Sequence, residues 1–345
     1  MGLPLVTFAV LTTVVLFLVV VMGFVDTATQ SALGCGHSFP LCHGRLLPTD
    51  NMRAIIEWSH RVLAAVAGVL VAILAVWTWV RIRHDAAVRW LVAIALGFLL
   101  VESVVGAIAV LVPESQGVIA VHLGIALTSF AATALATQRL WGALTPANGL
   151  RDHGGPPPRS GSSRPAMAAA GGASESAATP PPAAAVPPAP RPLVWWSWLT
   201  LVYMYAAIYL GAYVAGTRSG YACLTWPLCP EGRATVSLTN PVTIDLLHRT
   251  VALGAAVVGT YLFLLASRAR ATRPDLSRLA HVVLALIVLQ IISGLVLVLT
   301  QIALAASIVH VALATVLFTA VASMAFSVLP RVPPRIVPTP DAAGR

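Results

Sequence analysis

Apolar residues occur along the chain in eight long runs, and short polar segments separate most of them. A helix needs about 20 predominantly apolar residues to cross the core of a bilayer, and each run reaches that length. The runs cover roughly residues 4–25, 54–80, 88–112, 118–140, 194–216, 243–266, 279–299 and 302–329. This pattern predicts an all-α membrane protein with eight transmembrane helices. No basic region precedes the first run and no small-residue cleavage site follows it, so we expect a retained helix.

Composition and charge agree with a membrane protein. Of the 345 residues, 58% are hydrophobic and only 10% are charged, which lies far outside the range of soluble domains. A net charge of +9 would suggest a nucleic-acid partner in a soluble protein. Here all 21 basic residues are Arg, and fifteen lie in the second, fourth and sixth loops or the C-terminal tail. The positive-inside rule therefore predicts that both termini are cytoplasmic, and we expect no nucleic-acid partner.

A segment rich in Pro, Ala, Gly and Ser interrupts the apolar runs at residues 141–192. Such a composition cannot bury a core, so we expect a disordered cytoplasmic linker. It divides the chain into an N-terminal four-helix half, 1–140, and a C-terminal four-helix half, 193–330. A cytoplasmic tail, 331–345, completes the chain.

The two halves repeat each other. The first contains Cys35, Cys42, Glu57, His60, Arg61 and His122, and the second contains Cys223, Cys229, Asp245, His248, Arg249 and His310. The histidines of each half are 62 residues apart. Glu102 and Gly106 precede His122 by the same 20 and 16 residues that separate Gln290 and Gly294 from His310. This register indicates a duplicated four-helix unit. Because each unit has an even number of helices, we expect two tandem bundles related by a pseudo-two-fold axis along the membrane normal.

The four cysteines lie in the first and fifth loops, which the predicted topology places outside. Disulfides persist in an oxidising compartment, so we favour the pairs Cys35–Cys42 and Cys223–Cys229. A zinc site is the alternative, since His37 and His43 flank the first pair. The fifth loop, which carries the second cysteine pair, has no histidine.

Histidine inside an apolar helix is costly and usually functional. His60 and His122, like His248 and His310, come from the second and fourth helices of one half, so each pair lies at one depth. Two facing imidazoles in a bundle core are suited to bind haem iron as axial ligands. Zinc or copper would need further donors at that depth. Structural or proton-relay histidines are the alternative.

Charged residues accompany both pairs. Arg61 and Arg249 directly follow a histidine, and a guanidinium fork is suited to clamp haem propionates, although snorkelling to the interface would also explain an arginine there. Glu57 lies one turn before His60 and is a candidate for proton transfer or charge stabilisation, with a helix-start acid as the alternative. Asp245 is its shorter counterpart. Glu102 lies deeper and, with Asp245, is a candidate for a second polar site. The alternative is that Glu102 is a protonated carboxyl satisfied by a neighbouring helix.

The chain resembles the heme A synthase family in four motifs that span both halves. They are Gly34-Cys35 through Pro40-Leu41-Cys42-His43-Gly44, Glu57-Trp58-Ser59-His60-Arg61, Tyr221 through Pro227-Leu228-Cys229, and Leu247-His248-Arg249. The resemblance covers everything except the linker and the tail. The long linker departs from the family pattern, and Glu102 stands where glutamine is usual.

This resemblance implies an enzyme of the bacterial inner membrane that oxidises the C8 methyl of heme O to the formyl group of heme A by successive hydroxylations. It implies that His60 and His122 hold the substrate heme O beside a catalytic Glu57, and that His248 and His310 hold a permanent haem b. Heme O synthase and an electron donor are candidate partners. Spacing alone does not identify the catalytic half.

Two functions from other classes use the same residues differently. A dihaem b cytochrome that exchanges electrons with quinone would bind two unmodified haems at the four histidines. An outward-facing thiol-disulfide oxidoreductase would use the cysteine pairs, but neither pair is Cys-x-x-Cys and the buried histidines would be unexplained.

Overall fold

A computed structural model describes residues 2–48, 50–111, 116–144, 186–229, 237 and 239–330. These residues form eight long helices, which are α1 (Leu3–Ala28), α2 (Met52–Arg81), α3 (Ala86–Leu111), α4 (Gln116–Leu144), α5 (Arg191–Gly216), α6 (Pro241–Arg268), α7 (Pro274–Leu299) and α8 (Leu304–Ser327). A short 3-10 helix, Ser219–Ala222, follows α5. The described part of the chain contains no β-strand.

All eight helices contain a segment that is long and apolar enough to cross a membrane. This confirms the prediction of an all-α, multi-pass membrane protein. The helices extend into both edges of the predicted linker, since α4 continues to Leu144 and α5 begins at Arg191. Pro192 lies in the first turn of α5, where its missing N–H costs no helical hydrogen bond. The rest of the predicted linker, 145–185, and the predicted tail, 331–345, lie outside the described residues.

An asparagine starts each of the two helices that carry the Glu/Asp-x-x-His-Arg motif. The Asn51 side chain accepts the Arg53 N–H at 3.1 Å, and the Asn240 side chain accepts the Val242 N–H at 2.9 Å. Such a cap satisfies a donor that the first helical turn leaves without a partner. The two caps therefore set where α2 and α6 begin, and so set the helical turns in which the motif residues lie.

Each half packs its helices in the same cyclic order. In the N-terminal half, α1 and α3 both contact α2 and α4, and in the C-terminal half α5 and α7 both contact α6 and α8. The halves meet through α1, α4, α5 and α8. A hydrogen bond of 2.9 Å from Ser323 to the Gln138 side chain crosses this interface. The pseudo-two-fold axis itself stays a prediction.

Two apolar clusters fill the bundle at the end away from the cysteine loops, which we call the linker end. The first includes Leu5, Leu74, Leu91, Leu135 and Phe318, and the second includes Leu193, Leu262, Leu276 and Met324. These residues come from the starts of odd-numbered helices and the ends of even-numbered ones. The first cluster belongs to the N-terminal half but also includes residues of α8. The opposite end, which we call the loop end, contains the motif residues.

Candidate functional site

The four helix histidines lie near the loop end. His60 and His248 occupy the third turn of α2 and α6, while His122 and His310 occupy the second turn of α4 and α8. All four are half-buried. Each half thus brings two imidazoles from its even-numbered helices to the same end of the bundle.

A glycine of the preceding helix faces every one of these imidazoles. The place that a glycine Cβ would occupy lies close to the imidazole Cε1 in four pairs: Gly23 and His60 (2.9 Å), Gly106 and His122 (3.0 Å), Gly211 and His248 (2.9 Å), and Gly294 and His310 (3.4 Å). A side chain at the first three positions would displace the ring. The glycines therefore keep open the space in which the imidazoles lie.

Sequence reasoning identified Gly106 and Gly294 by their register but missed Gly23 and Gly211. The signal was present, because Gly23 precedes His60 by 37 residues and Gly211 precedes His248 by the same 37. Both glycines lie in strongly apolar helices, α1 and α5. Candidate site residues in such helices are recognised by their polar side chains, and a glycine has none, so its role is easily missed.

Three of the four imidazoles have a buried nitrogen without a partner among the described residues. These are the Nδ1 atoms of His60, His122 and His248. Buried polar atoms in folded proteins nearly always have a hydrogen-bond partner. The Nε2 of a neutral imidazole is a common ligand of haem iron, and in these three rings no described residue holds the other nitrogen, Nδ1.

His310 differs from the other three, because α7 supplies polar partners. Its Nδ1 lies 2.8 Å from the Ser293 hydroxyl, and its Nε2 lies 3.2 Å from the Gln290 amide nitrogen. In the N-terminal half, the Glu102 carboxylate lies 4.0 Å from the His122 Nε2. Glu102 and Gln290 therefore occupy matching places beside the histidine of the fourth helix in each half, while Asp245, the other predicted member of the second polar site, pairs with Arg249 on α6.

A cavity of about 700 Å³ occupies the C-terminal half. His248, Arg249 and His310 line it, together with many apolar side chains, and it reaches Phe24 and Leu123 of the N-terminal half. Its volume is in the range of cofactor and small-molecule pockets, and apolar walls with a few polar groups are typical of such sites. The cavity, the glycines and the paired imidazoles together fit a haem.

Glu57 is buried at the loop end, one turn before His60. Its carboxylate accepts the Cys35 N–H at 2.7 Å and forms an ion pair with Arg61. Asp245 forms the matching ion pair with Arg249 at 2.7 Å. Within the described residues no backbone N–H of the cysteine loop donates to Asp245, whose side chain is shorter by one methylene. The two acids thus occupy equivalent places with different surroundings.

Both arginines bind the backbone of the adjacent cysteine loop. Arg61 donates to the carbonyls of Ser38 (2.8 Å) and Leu41 (3.2 Å), and Arg249 donates to those of Cys223 (2.6 Å) and Pro227 (3.2 Å). These contacts distinguish the two side chains from arginines that only reach for the interface. Arg249 also lines the cavity. The propionate clamp stays a prediction for both.

The cysteines form the two predicted disulfides, Cys35–Cys42 and Cys223–Cys229. Asp245 lies within 4.8 Å of the second pair, a grouping that resembles a metal site, but disulfide sulfurs are not thiolate ligands. His37 and His43, the other zinc candidates, contact backbone carbonyls at 2.8 and 3.0 Å. The geometry therefore favours disulfides over zinc.

Comparison with known proteins covers nearly the whole chain. A family model described as cytochrome oxidase assembly protein matches residues 6–322. The chain is 30% identical over 326 residues to the heme A synthase of Alkalihalophilus pseudofirmus, covering 92% of this chain and 95% of that protein. It is 28% identical to the heme A synthase of Bacillus licheniformis, with 90% and 91% covered. It is 30% identical to that of Bacillus pumilus, with 88% of each covered.

Proposed function

The chain belongs to the COX15-CtaA family of cytochrome oxidase assembly proteins, and we propose that it acts as a heme A synthase that oxidises heme O to heme A. It is accordingly a membrane-bound oxidoreductase of heme A biosynthesis. The observation that supports this most directly is the pair of matched histidine sites, each with glycines opposite the imidazoles. Those sites suit haem in both halves, as an enzyme with one haem substrate and one haem cofactor requires.

In this proposal the C-terminal half holds haem b between His248 and His310, inside the cavity that both residues line. When bound, haem b supplies one-electron transfer to the substrate site. Arg249 stands at the loop end of that cavity, where a guanidinium would bind a propionate. The apolar walls exclude water, which strengthens the electrostatic interactions within the site.

The N-terminal half holds the substrate heme O between His60 and His122, with the C8 methyl beside Glu57. The carboxylate is held by two donors, the Cys35 N–H and the Arg61 guanidinium. A charge fixed in this way needs no reorganisation when positive charge develops on the reacting carbon. Its engaged oxygens favour charge stabilisation over proton abstraction as its role. Arg61 is the matching candidate for a propionate of the substrate.

The remaining parts of the proposal concern place and partners. The protein lies in a bacterial inner membrane with both termini cytoplasmic and the disulfide loops outside, as the arginine distribution favours. Heme O synthase would supply the substrate, and an electron donor would complete the oxidation. The outside position of the loops agrees with their two disulfides.

Chromatography of extracted haems tests the function. Cells that make heme O and express the wild-type chain should accumulate heme A. Glu57→Gln preserves the side-chain volume but removes the charge, so this variant should keep haem b and bind heme O while it makes little heme A. Asp245→Asn is the matched control at the equivalent place, and heme A should fall much less.

Other outcomes would contradict the proposal in different ways. If the wild-type chain carries two unmodified haems and makes no heme A, it is a dihaem cytochrome. Normal heme A from Glu57→Gln, or equal losses from Glu57→Gln and Asp245→Asn, would mean that Glu57 is not the carboxylate at the reacting edge.

A further inference from the structure

We propose that Ser293 is a positioning residue that fixes His310 as a permanent axial ligand, and that Val105, at the equivalent place, leaves His122 an exchangeable ligand. This inference rests on the proposed function, since it explains how one site retains its haem while the other releases a product. Among the described residues, His122 and His310 are equivalent histidines of which only His310 has a polar partner at Nδ1.

The Ser293 hydroxyl makes two hydrogen bonds in the buried interface of α7 and α8. It lies 2.8 Å from the Gln290 carbonyl oxygen and 2.8 Å from the His310 Nδ1. A carbonyl oxygen only accepts, so the single hydroxyl proton is donated to Gln290. The hydroxyl oxygen then accepts from His310, whose Nδ1 must carry the proton.

This arrangement selects one tautomer of the neutral imidazole. With its proton on Nδ1, His310 has a free lone pair on Nε2, the nitrogen available to iron. The Gln290 amide nitrogen lies 3.1 Å from the His310 backbone carbonyl oxygen, 3.2 Å from Nε2 and 3.3 Å from Nδ1, so this amide does not itself select a tautomer. The Ser293 contact therefore carries the assignment of the tautomer, and Nε2 is the nitrogen that would bind a haem iron.

The N-terminal half lacks this support. Val105 stands directly before Gly106, as Ser293 stands directly before Gly294, but its side chain has no polar atom. The His122 Nδ1 is buried without a hydrogen-bond partner among the described residues. Glu102, in the place of Gln290, lies 4.0 Å from the His122 Nε2. The tautomer of His122 is therefore not fixed from the Nδ1 side.

His60 and His248 provide an internal comparison, because their surroundings match. Each has a buried Nδ1 without a described partner, and each faces a glycine at 2.9 Å. Among the four histidines, the asymmetry between the halves is thus concentrated at His122 and His310. Partners that hold the second imidazole nitrogen orient a ligand and raise its basicity, and their loss typically costs 10- to 100-fold in metal affinity.

Haem transfer to apomyoglobin measures how firmly each variant of the purified full-length protein retains haem b. Ser293→Ala should release haem b about 10- to 100-fold faster than the wild type. Its reduction potential should rise, because an imidazole without the Nδ1 hydrogen bond is a weaker electron donor. Ser293→Thr retains a hydroxyl, so its haem release and reduction potential should both stay near the wild-type values. A purely structural role of Ser293 would not predict that release and potential change together.

Val105→Thr is the reciprocal variant, because threonine has nearly the shape of valine and adds the hydroxyl that His122 lacks. More heme O or heme A should remain with this protein after purification than with the wild type. Wild-type release and potential in Ser293→Ala, with unchanged haem content in Val105→Thr, would overturn the inference. If Ser293→Ala does not fold, unchanged haem retention in Val105→Thr overturns it.

The two proposals fail separately. A wild-type chain that makes heme A and variants that retain haem normally would refute the role of Ser293 alone. A wild-type chain that makes no heme A would refute the proposed function, whatever its rate of haem release.

Discussion

The Cys35 N–H donates to the Glu57 carboxylate at 2.7 Å, and this bond joins a disulfide loop to the helix that carries His60. Cys35 is fully buried beneath Ala54 and Trp58. Arg61 binds the same carboxylate and the carbonyls of the same loop. The position of Glu57 is therefore set by the loop as much as by α2, and the loop is closed by Cys42.

We expect removal of the first disulfide to affect heme A production more than haem b binding. In Cys35→Ser/Cys42→Ser the loop is free to move, and the donors to Glu57 lose their fixed position. Haem extraction should give less heme A at a near-normal content of haem b. The matched control is Cys223→Ser/Cys229→Ser, which should lower the haem b content instead. Identical effects of the two double variants would contradict separate roles for the loops.

The glycines opposite the histidines give a graded prediction. Gly211→Ala places a methyl group 2.9 Å from the His248 Cε1 and should strongly reduce bound haem b. Gly294→Ala meets His310 at 3.4 Å, an ordinary contact, and should have a weaker effect. Gly97→Ala in α3, where a Cβ has no heavy atom within 4 Å, is the control and should bind haem normally. The haem absorbance per protein measures all three.

An equal loss of haem in Gly211→Ala and Gly97→Ala would contradict this explanation. It would mean that alanine perturbs the helices in general rather than the space beside the imidazole. Alanine favours a helix over glycine by about 1 kcal/mol, so neither substitution weakens its helix through propensity. A loss of haem in Gly211→Ala alone would therefore come from the space beside the imidazole.

Substitution of the C-terminal histidines should remove the low-spin haem b spectrum. His248→Ala and His310→Ala each delete one axial ligand. The helical fold should persist, because the apolar clusters at the linker end contain neither residue. Absorption spectra report the haem, and far-UV circular dichroism reports the helices. An unchanged haem spectrum in both variants would refute the assignment of this pair.

A stability prediction concerns Arg273 at the linker end. Its guanidinium is buried and binds Asp275 at 2.9 Å and the backbone carbonyls of Pro187 (3.2 Å) and Ser327 (2.9 Å). Arg273→Ala should therefore lower the free energy of unfolding by about 2 kcal/mol. Thermal unfolding in detergent measures the loss. Arg278→Ala, which replaces an exposed arginine near the start of α7, should leave the midpoint unchanged within a degree or so.

The sequence predicted the helices well, because a transmembrane helix must be apolar over a fixed length. Boundaries differ by a few residues where helix and loop residues have similar composition. For example, α4 extends to Leu144 and α5 begins at Arg191, inside the predicted linker. Proline near the start of α5 resembles the proline-rich linker in composition, although it is compatible with the first turn of a helix.

The histidines of the candidate site were predictable because they repeat, whereas the contacts that differ between the halves were missed. The matched spacing identified His60, His122, His248 and His310. The structure adds the residues of neighbouring helices that contact them. Ser293 gave no signal, because a serine in an apolar helix usually bonds its own backbone. Its contact with His310 depends on how α7 and α8 pack, and a single sequence does not specify that packing.

The two apolar clusters at the linker end have a consequence for biogenesis. They join α1 to α2, α3 and α4, and α5 to α6, α7 and α8, without any motif residue. We therefore expect that the polypeptide completes its insertion and helix assembly as an apoprotein and acquires its prosthetic group afterwards. Iron or porphyrin shortage would then leave a stored pool of empty, folded protein in the membrane rather than a misfolded one marked for proteolysis.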